Sequence, residues 1–369
     1  MASDDIKLTQ TENVVSTIDN LNDIMPFIDY GTVIPIISNS FRIEEIFSDD
    51  KGLQKQLAEA PEFYDDIRTI DQQLTKKWAE KIGYPMSDDY NLARVAQYRQ
   101  VESGDPELAK IEYFKFIIDR LLKNAEAEDD YKDKVSELRK NTQRLVFSQV
   151  AHQLDYPRFQ KDVYDPLRLL AKLPLPIYIT TSYSNFLERA LEAEEKQPRT
   201  QICFWSGGKS NIKPEYLPDP KYDPTPTTPA VYHLFGLEEY KNTLILSEDD
   251  YLGFMMNAVE EINSQDLYPS PLRGSLPESR LLLIGYNLRD WDFRALFRFL
   301  LRIRKTAIVR PSIAIQLKPS LGKKDYETRS LKYLERYFED HKFKVKWTNN
   351  ENFIFELWDT WNKYRQGQL

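Results

Sequence analysis

One cysteine, Cys203, occurs in 369 residues, which excludes an intramolecular disulfide and any multi-cysteine zinc module and points to a reducing compartment. Histidine is almost as scarce. His152, His233 and His341 lie far apart in the chain and no HExxH or CxxC spacing occurs, so no metal site is expected. Also missing is an uncharged apolar run long enough to cross a bilayer, and the opening MASDDIKLTQTENVV is acidic where a leader would be basic and then apolar. A cytoplasmic protein with no membrane contact is the expectation. Positive charge is in deficit too. With a net charge of −8 and a pI near 5.3, direct nucleic-acid binding by the whole molecule is disfavoured. What is present is core material: 41% hydrophobic and 13% aromatic residues suffice for one large domain or two ordinary ones.

Along the chain, residues 1–22 read as a weakly ordered lead-in, and GTVIPIIS within 30–38 as the first buried strand. From 49 to 158 charged and apolar residues alternate at helical spacing, as in LAKIEYFKFIIDRLL, which predicts a helical insertion. Strands are expected again at 177–181, 231–236, 281–285, 312–317 and 343–347, with ThrLeuIleLeu at 243–246 as a partner or a further short strand. The proline-rich stretch 196–228 reads as a loop draped over the domain. The fold class is therefore α/β, a Rossmann-like parallel sheet with helices on both faces. Residues 23–48 and 159–369 form that domain, and 49–158 the α-helical insertion.

Three units carry the chemistry: PIYITTSYSNFLERAL, AVYHLFG with TLILSEDDYLGFM, and LLLIGYNLRDWDFRALFRFLL. Each runs from an apolar strand through a polar turn into a helix, the way an open α/β sheet builds a nucleotide site. Plain structural roles compete at every position. Thr180–Ser184 make good helix caps, Asp290 and Asp292 suit capping and first-turn charge, and a lone histidine such as His233 suits a satisfied core. Ser247 with Asp250 reads as a variant capping box. The four-residue spacing of Arg294, Arg298 and Arg302 reads as a solvated or ion-paired helix face.

With those residues in view, the pattern resembles the sirtuin-like (silent information regulator) NAD-hydrolysing domain of prokaryotic anti-phage defence proteins. The matching stretches are ThrThrSerTyrSerAsnPheLeuGlu at 180–188, ValTyrHisLeuPheGly at 231–236 with SerGluAspAspTyr at 247–251, and GlyTyrAsnLeuArgAspTrpAspPhe at 285–293. The chain departs from the family at two places. Ser182 stands where the family carries its catalytic asparagine, with Asn185 three residues on, and Phe235 stands where its histidine precedes the glycine, with His233 two residues back. Positions 233 and 235 share a strand face, so the shift keeps the imidazole on one side and moves it roughly 6–7 Å along the axis.

The resemblance implies NAD as substrate, bound beyond the carboxyl ends of the strands, and cleavage of the nicotinamide–ribose bond to deplete NAD in an abortive response to infection. It assigns His233 as the acceptor for the attacking water, with Ser182 and Asn185 orienting water or ribose. Ser38 and Asn39, the threonines Thr180 and Thr181, and the turn Gly285, Tyr286 and Asn287 would meet the dinucleotide, with Gln316 at the adenosine ribose. It further implies a homo-oligomer and a HerA-type ATPase partner. The alternative, from the two departures, is a catalytically inactive nucleotide-binding scaffold subunit.

Overall fold

The computed structural model describes residues 20–47, 50, 53, 69–156, 164–206, 209, 211–219, 221–260, 269–287, 290–303, 310–316 and 324–368. Residues 1–19 of the expected lead-in 1–22, the helical stretch 54–68 and the motif positions Leu288 and Arg289 lie outside these residues, and the end of that lead-in is ordered, with Asn20 capping the 3-10 helix Leu21–Ile24. Seven strands form one sheet: β1 Val33–Ile37, β2 Ile177–Thr180, β3 Arg199–Ile202, β4 Ala230–His233, β5 Arg280–Ile284, β6 Ser312–Gln316 and β7 Phe343–Trp347. Their order is β3-β4-β2-β1-β5-β6-β7, every pairing is parallel, and helices cover both faces.

Strand composition follows from that burial. VIPII of β1 and RLLLI of β5 are buried at all five positions, as expected of central parallel strands sandwiched between helices. Proline is unusual in such a place because it cannot donate to the ladder. Here the β1–β2 register begins at Ile36, and Ile37 accepts from Thr181 of the β2 side while Ser38 donates to Ile284 of β5. Amides alternate between neighbours along a strand, so Pro35 lacks its donor toward β2, one residue before that ladder starts. The outer edge is guarded by lysine: Lys344 and Lys346 punctuate β7, and charge on an edge strand discourages pairing with another chain.

Two expectations about strands are corrected. Thr200 and Ile202 lie on β3, inside the stretch read as loop, because RTQI is short and only its last two residues are buried. Conversely, 243–246 forms no strand. Thr243 closes a short 3-10 helix, and Ile245 gives a single bond to the Phe235 carbonyl, N to O 3.1 Å.

Among the described residues between β1 and β2 the regular elements are helices alone, with Ile70–Ile82, Leu92–Ser103 and Pro106–Ala125 the longest. They are pinned to the sheet side by buried polar contacts. Lys110 donates to the Leu244 carbonyl at 2.8 Å and to Asp250 at 3.1 Å, and Asp250 belongs to the Ser247 capping box in the expected form. A separate buried pair, Arg42 with Asp165 at 3.3 Å, ties the helix that follows β1, Asn39–Ile46, to the cap of the Pro166–Lys172 helix that leads into β2. On the Trp291–Ile303 helix, Phe293, Leu296, Phe297 and Leu300 are buried while Arg294 and Arg298 are exposed and Arg302 is half-buried, the two faces that its 3.6-residue period dictates. None of the helices described is long and apolar enough to cross a membrane.

Candidate functional site

A pocket of about 270 Å³ opens at the carboxyl ends of β4, β2, β1 and β5. The chain builds β2, β4 and β3 to one side of β1 and β5, β6 and β7 to the other, so the β1/β5 boundary is a topological switch point. Connections there leave the sheet in opposite directions and open a crevice. Asn39 and Ser40 follow β1, Thr181 follows β2, Phe235 follows β4, and Asn287, Asp290, Trp291 and Asp292 follow β5. The opposite wall comes from the helical stretch, through Asp71, Gln72 and Thr75 and through Asp88 to Arg94.

Two tight turns bring these strand ends together. Gly285 has φ +82°, and a Cβ there would lie 2.4 Å from Ser38 Oγ and 2.8 Å from Phe41 Cβ. Gly236 has φ +83°, with the Thr243 carbonyl oxygen 2.2 Å from any added Cβ. Both positions need glycine for sign of φ and for space.

The electrostatic character of the pocket is acidic. Asp71 sits in the first turn of Ile70–Ile82, behind a Thr69/Gln72 capping box. Its Oδ2 accepts from Ser40 Oγ at 2.7 Å, and its buried Oδ1 has no partner. Burial raises the Asp71 pKa, with the Ser40 hydroxyl pulling the other way. Asp292 is held well above the usual carboxylate range by burial, then by the neighbouring charges of Asp290 and Asp71, against the lowering bond from the Phe293 amide. Just outside the lining, Glu44 is pushed up to about 8 by burial, Asp71, Asp290 and Glu351.

Among the described lining residues Arg94 is the one basic side chain. It is already paired, with Asp88 of the same lining and, at 3.2 Å, with Glu248. Glu248 also accepts from Trp291 Nε1 at 3.1 Å, and Gln97 exchanges two bonds with Asp249, at 2.8 and 2.9 Å. These contacts fasten the Leu92–Ser103 helix to the start of Glu248–Glu260 and close one end of the pocket. The remaining wall is aromatic. Trp291 stacks on Tyr251 with centroids 6.1 Å apart and 23° between planes, and Phe235 backs Tyr251 edge-on at 5.4 Å.

Of the residues expected to act, the structure brings Asn39, Thr181 and Asn287 into the pocket lining and leaves the others outside it. The expectation that the His233 ring turns toward the crevice is corrected. That ring is 0% exposed, its Nδ1 donates to the Ser182 carbonyl at 2.9 Å, and its Nε2 meets Glu188 Oε1 at 2.8 Å. Burial lowers the His233 pKa, and the charge and hydrogen bond of Glu188 more than offset it, so the imidazole stands above its ordinary value. Thr200 joins the same carboxylate at 2.7 Å, making a brace across β4, β3 and the Phe186–Ala193 helix. Ser182 Oγ accepts from the Ser184 amide at 3.3 Å, and Asn185 begins that helix with no side-chain cap bond.

The expected dinucleotide contacts outside the lining hold the turns instead. Ser38 Oγ donates to the Gly285 carbonyl at 2.6 Å and accepts from the Phe41 amide. Thr180 Oγ1 donates to Ile37 O and accepts from the Ser182 amide. The Gly285 amide is taken by Asn350 Oδ1 at 3.0 Å, so it is not offered to a phosphate. Tyr286 is buried, its hydroxyl 3.1 Å from Thr181 Oγ1, and Gln316 donates to the Tyr286 carbonyl at 2.9 Å. Sequence reading missed Asp71 and Trp291 and gave Asp292 a capping role. The DWD step after LLLIG was a usable signal for two of them; nothing local marks Asp71, whose place depends on how the insertion folds back.

Residues 176–345, just under half of the chain, match the SIR2-like domain family. Part of the chain is 25% identical over 129 residues to the NAD(+) hydrolase ThsA of Bacillus cereus (strain MSX-D12), covering 35% of this chain and 23% of that protein. A second relative, the NAD(+) hydrolase ThsA of Cytobacillus dafuensis, is 31% identical over 125 residues, 34% of this chain and 21% of that one. The match thus spans less than a quarter of either relative's length. The Asp71 wall and the turn after β1 precede the matched stretch, whereas the turns after β2, β4 and β5 fall within it, so the similarity to a SIR2-like domain covers three of the four strand ends at the pocket and not its helical wall.

Proposed function

We propose that this chain binds NAD across the carboxyl edge of the sheet and hydrolyses its nicotinamide–ribose bond. The observation that carries the reading is the pocket at the β1/β5 switch point with two raised-pKa carboxyls, Asp71 and Asp292, in its lining; perturbed acids gathered in a cleft mark functional sites. In the reaction the water oxygen bonds to ribose C1′ as the C1′–N1 bond breaks. Nicotinamide leaves neutral with both bonding electrons, and the water proton passes to Asp71 Oδ1. In this reading Asp292 stabilises the positive charge that develops on the sugar, the part the second carboxylate plays in glycoside hydrolysis. The positive charge of bound NAD draws both acids toward their ionised, working form. Asn39, Thr181 and Asn287 orient the ribose, and His233 holds the 182–184 turn behind Thr181 rather than touching substrate.

At the level of the cell the same proposal is NAD depletion during phage infection, by a homo-oligomer with a HerA-type ATPase as its partner; NAD hydrolysis is supported by the names of the relatives, and the infection setting, the oligomer and the partner rest on the resemblance alone. A second reading has its own support: Phe235 and Ser182 stand where the family carries histidine and asparagine, which favours a silent nucleotide-binding subunit.

Nicotinamide release from NAD separates the two. Purified protein, alone or with a HerA-type ATPase added, should release nicotinamide, and Asp71→Asn should slow that release by about 10²–10⁴-fold. NAD binding without release in either arm would establish the silent subunit instead.

A further inference from the structure

We propose that the outer face of two neighbouring helices, Trp291–Ile303 and Lys324–Glu339, is a binding surface for single-stranded nucleic acid. Its side chains lie outside the pocket lining, and the proposal stands whether or not the pocket cleaves NAD.

Three observations carry it. The first is a group of arginines without counter-charges. Elsewhere on the surface arginine holds a carboxylate: Arg99 meets Glu112, Arg139 meets Glu126 and Arg199 meets Asp219. Arg294, Arg298 and Arg302 hold none among the described residues, and neither do Arg329 and Arg336 on the second helix, although the chain carries 58 acidic side chains against 50 basic ones. The segment FRALFRFLLRI contains no acid at all. Like charges four apart on one helix repel, so this local exception to an acidic molecule is best completed by an anion from outside. The second observation is spacing. Residues four apart rise about 6 Å along the helix axis, a step that an extended strand can match phosphate by phosphate. Each planar guanidinium can then grip its phosphate through two N–H bonds.

The third is a pair of rings beside that ladder. Tyr333 is 66% exposed and stacks on Tyr337 with centroids 6.3 Å apart and 30° between planes. Tyr337 in turn lies close enough to Arg298 and Arg294 for both charges to act on its hydroxyl. An exposed ring next to arginines is a platform on which an unpaired base stacks. The rings also decide between partners. An acidic peptide would use the arginines and leave Tyr333 bare, and a duplex keeps its base faces inside its own stack. Neither helix stands clear of the sheet to enter a groove, because Phe297 and Phe338 seat both on Phe343 of β7.

The shared chemistry is a phosphodiester strand with unpaired bases, so DNA and RNA are separate arms of the test. Fluorescence anisotropy is read on the full chain with labelled oligonucleotides of about 16 nucleotides, as single-stranded DNA, single-stranded RNA and duplex DNA, with labelled poly-glutamate beside them. At least one single strand should bind about tenfold more tightly than the duplex or poly-glutamate, and the tighter of the two names the source. Log affinity should fall with log salt at a slope of up to about −3.5, roughly 0.7 for each arginine engaged. Arg298→Gln should weaken binding about tenfold and make that slope shallower by about 0.7. Tyr333→Ala should weaken it about fivefold or more with the slope unchanged. Both side chains are exposed, so circular dichroism should be unaltered. Arg139→Gln, at a paired arginine of the helical stretch, should leave binding as it is. The proposal is overturned if neither single strand binds, if Tyr333→Ala binds like the wild type, or if Arg139→Gln and Arg298→Gln lose equally. Duplex bound as tightly as a single strand overturns it too, and so does tighter binding of poly-glutamate, which would mark an acidic protein as the partner.

Discussion

His233 and Asp71 show how burial sorts a titratable group into scaffold or machinery. The imidazole has both nitrogens satisfied inside the protein, so removing it strands Glu188, whose Oε2 already lacks a partner. His233→Ala should therefore cost about 3–5 kcal/mol of folding stability in urea denaturation, and its activity loss should track the unfolded fraction. Glu44 makes a separate, pH-dependent prediction. The folded chain holds its proton up to about 8, against 4.5 for the free group, so the stabilisation that proton brings is whole below pH 4.5 and drains away as pH climbs toward 8. Glu44→Gln should flatten that slope and raise the melting temperature at pH 8 by about 2–4 °C. The residues themselves showed this unevenly. His233 was legible as a polar group on a buried strand, but whether it faced crevice or core depended on Glu188, whose approach no local pattern gives.

At the scale of elements, long apolar runs were readable and short amphipathic ones were not. LLLIG and VIPII announce strands buried on both faces, whereas RTQI, half-covered at the edge, hides in a proline-rich neighbourhood. ThrLeuIleLeu misled for the opposite reason: it is buried, but Thr243 closes a 3-10 helix with its carbonyl packed against Gly236, and the one bond from Ile245 to the Phe235 carbonyl makes no ladder. The helical stretch was legible as helix and opaque as to docking. Its attachment depends on Lys110, whose ammonium joins the Leu244 carbonyl to Asp250. Lys110→Ala leaves that buried aspartate uncompensated, and a loss of about 3–5 kcal/mol is expected. Hydrogen exchange should then rise first along Pro106–Ala125 and at the Ser247 cap, not along β1.

For the whole molecule, the division of the pocket between sheet turns and helical stretch explains why the fold could be named from sequence and the site only half assembled. Strand ends after β1, β2, β4 and β5 follow from periodicity, since each strand delivers its turn at the carboxyl edge. The facing wall arises from the path of the chain between β1 and β2. The sheet order has one more consequence, for the chain as it is being made. β1 lies between β2 and β5, so a ribosome finishes this segment well before either flank has been translated. At about 5–20 residues per second the nascent VIPII waits on the order of ten seconds for Ile177, and longer for Leu281, with its apolar side chains unpaired. During that interval the early helices, or a chaperone, must shelter it.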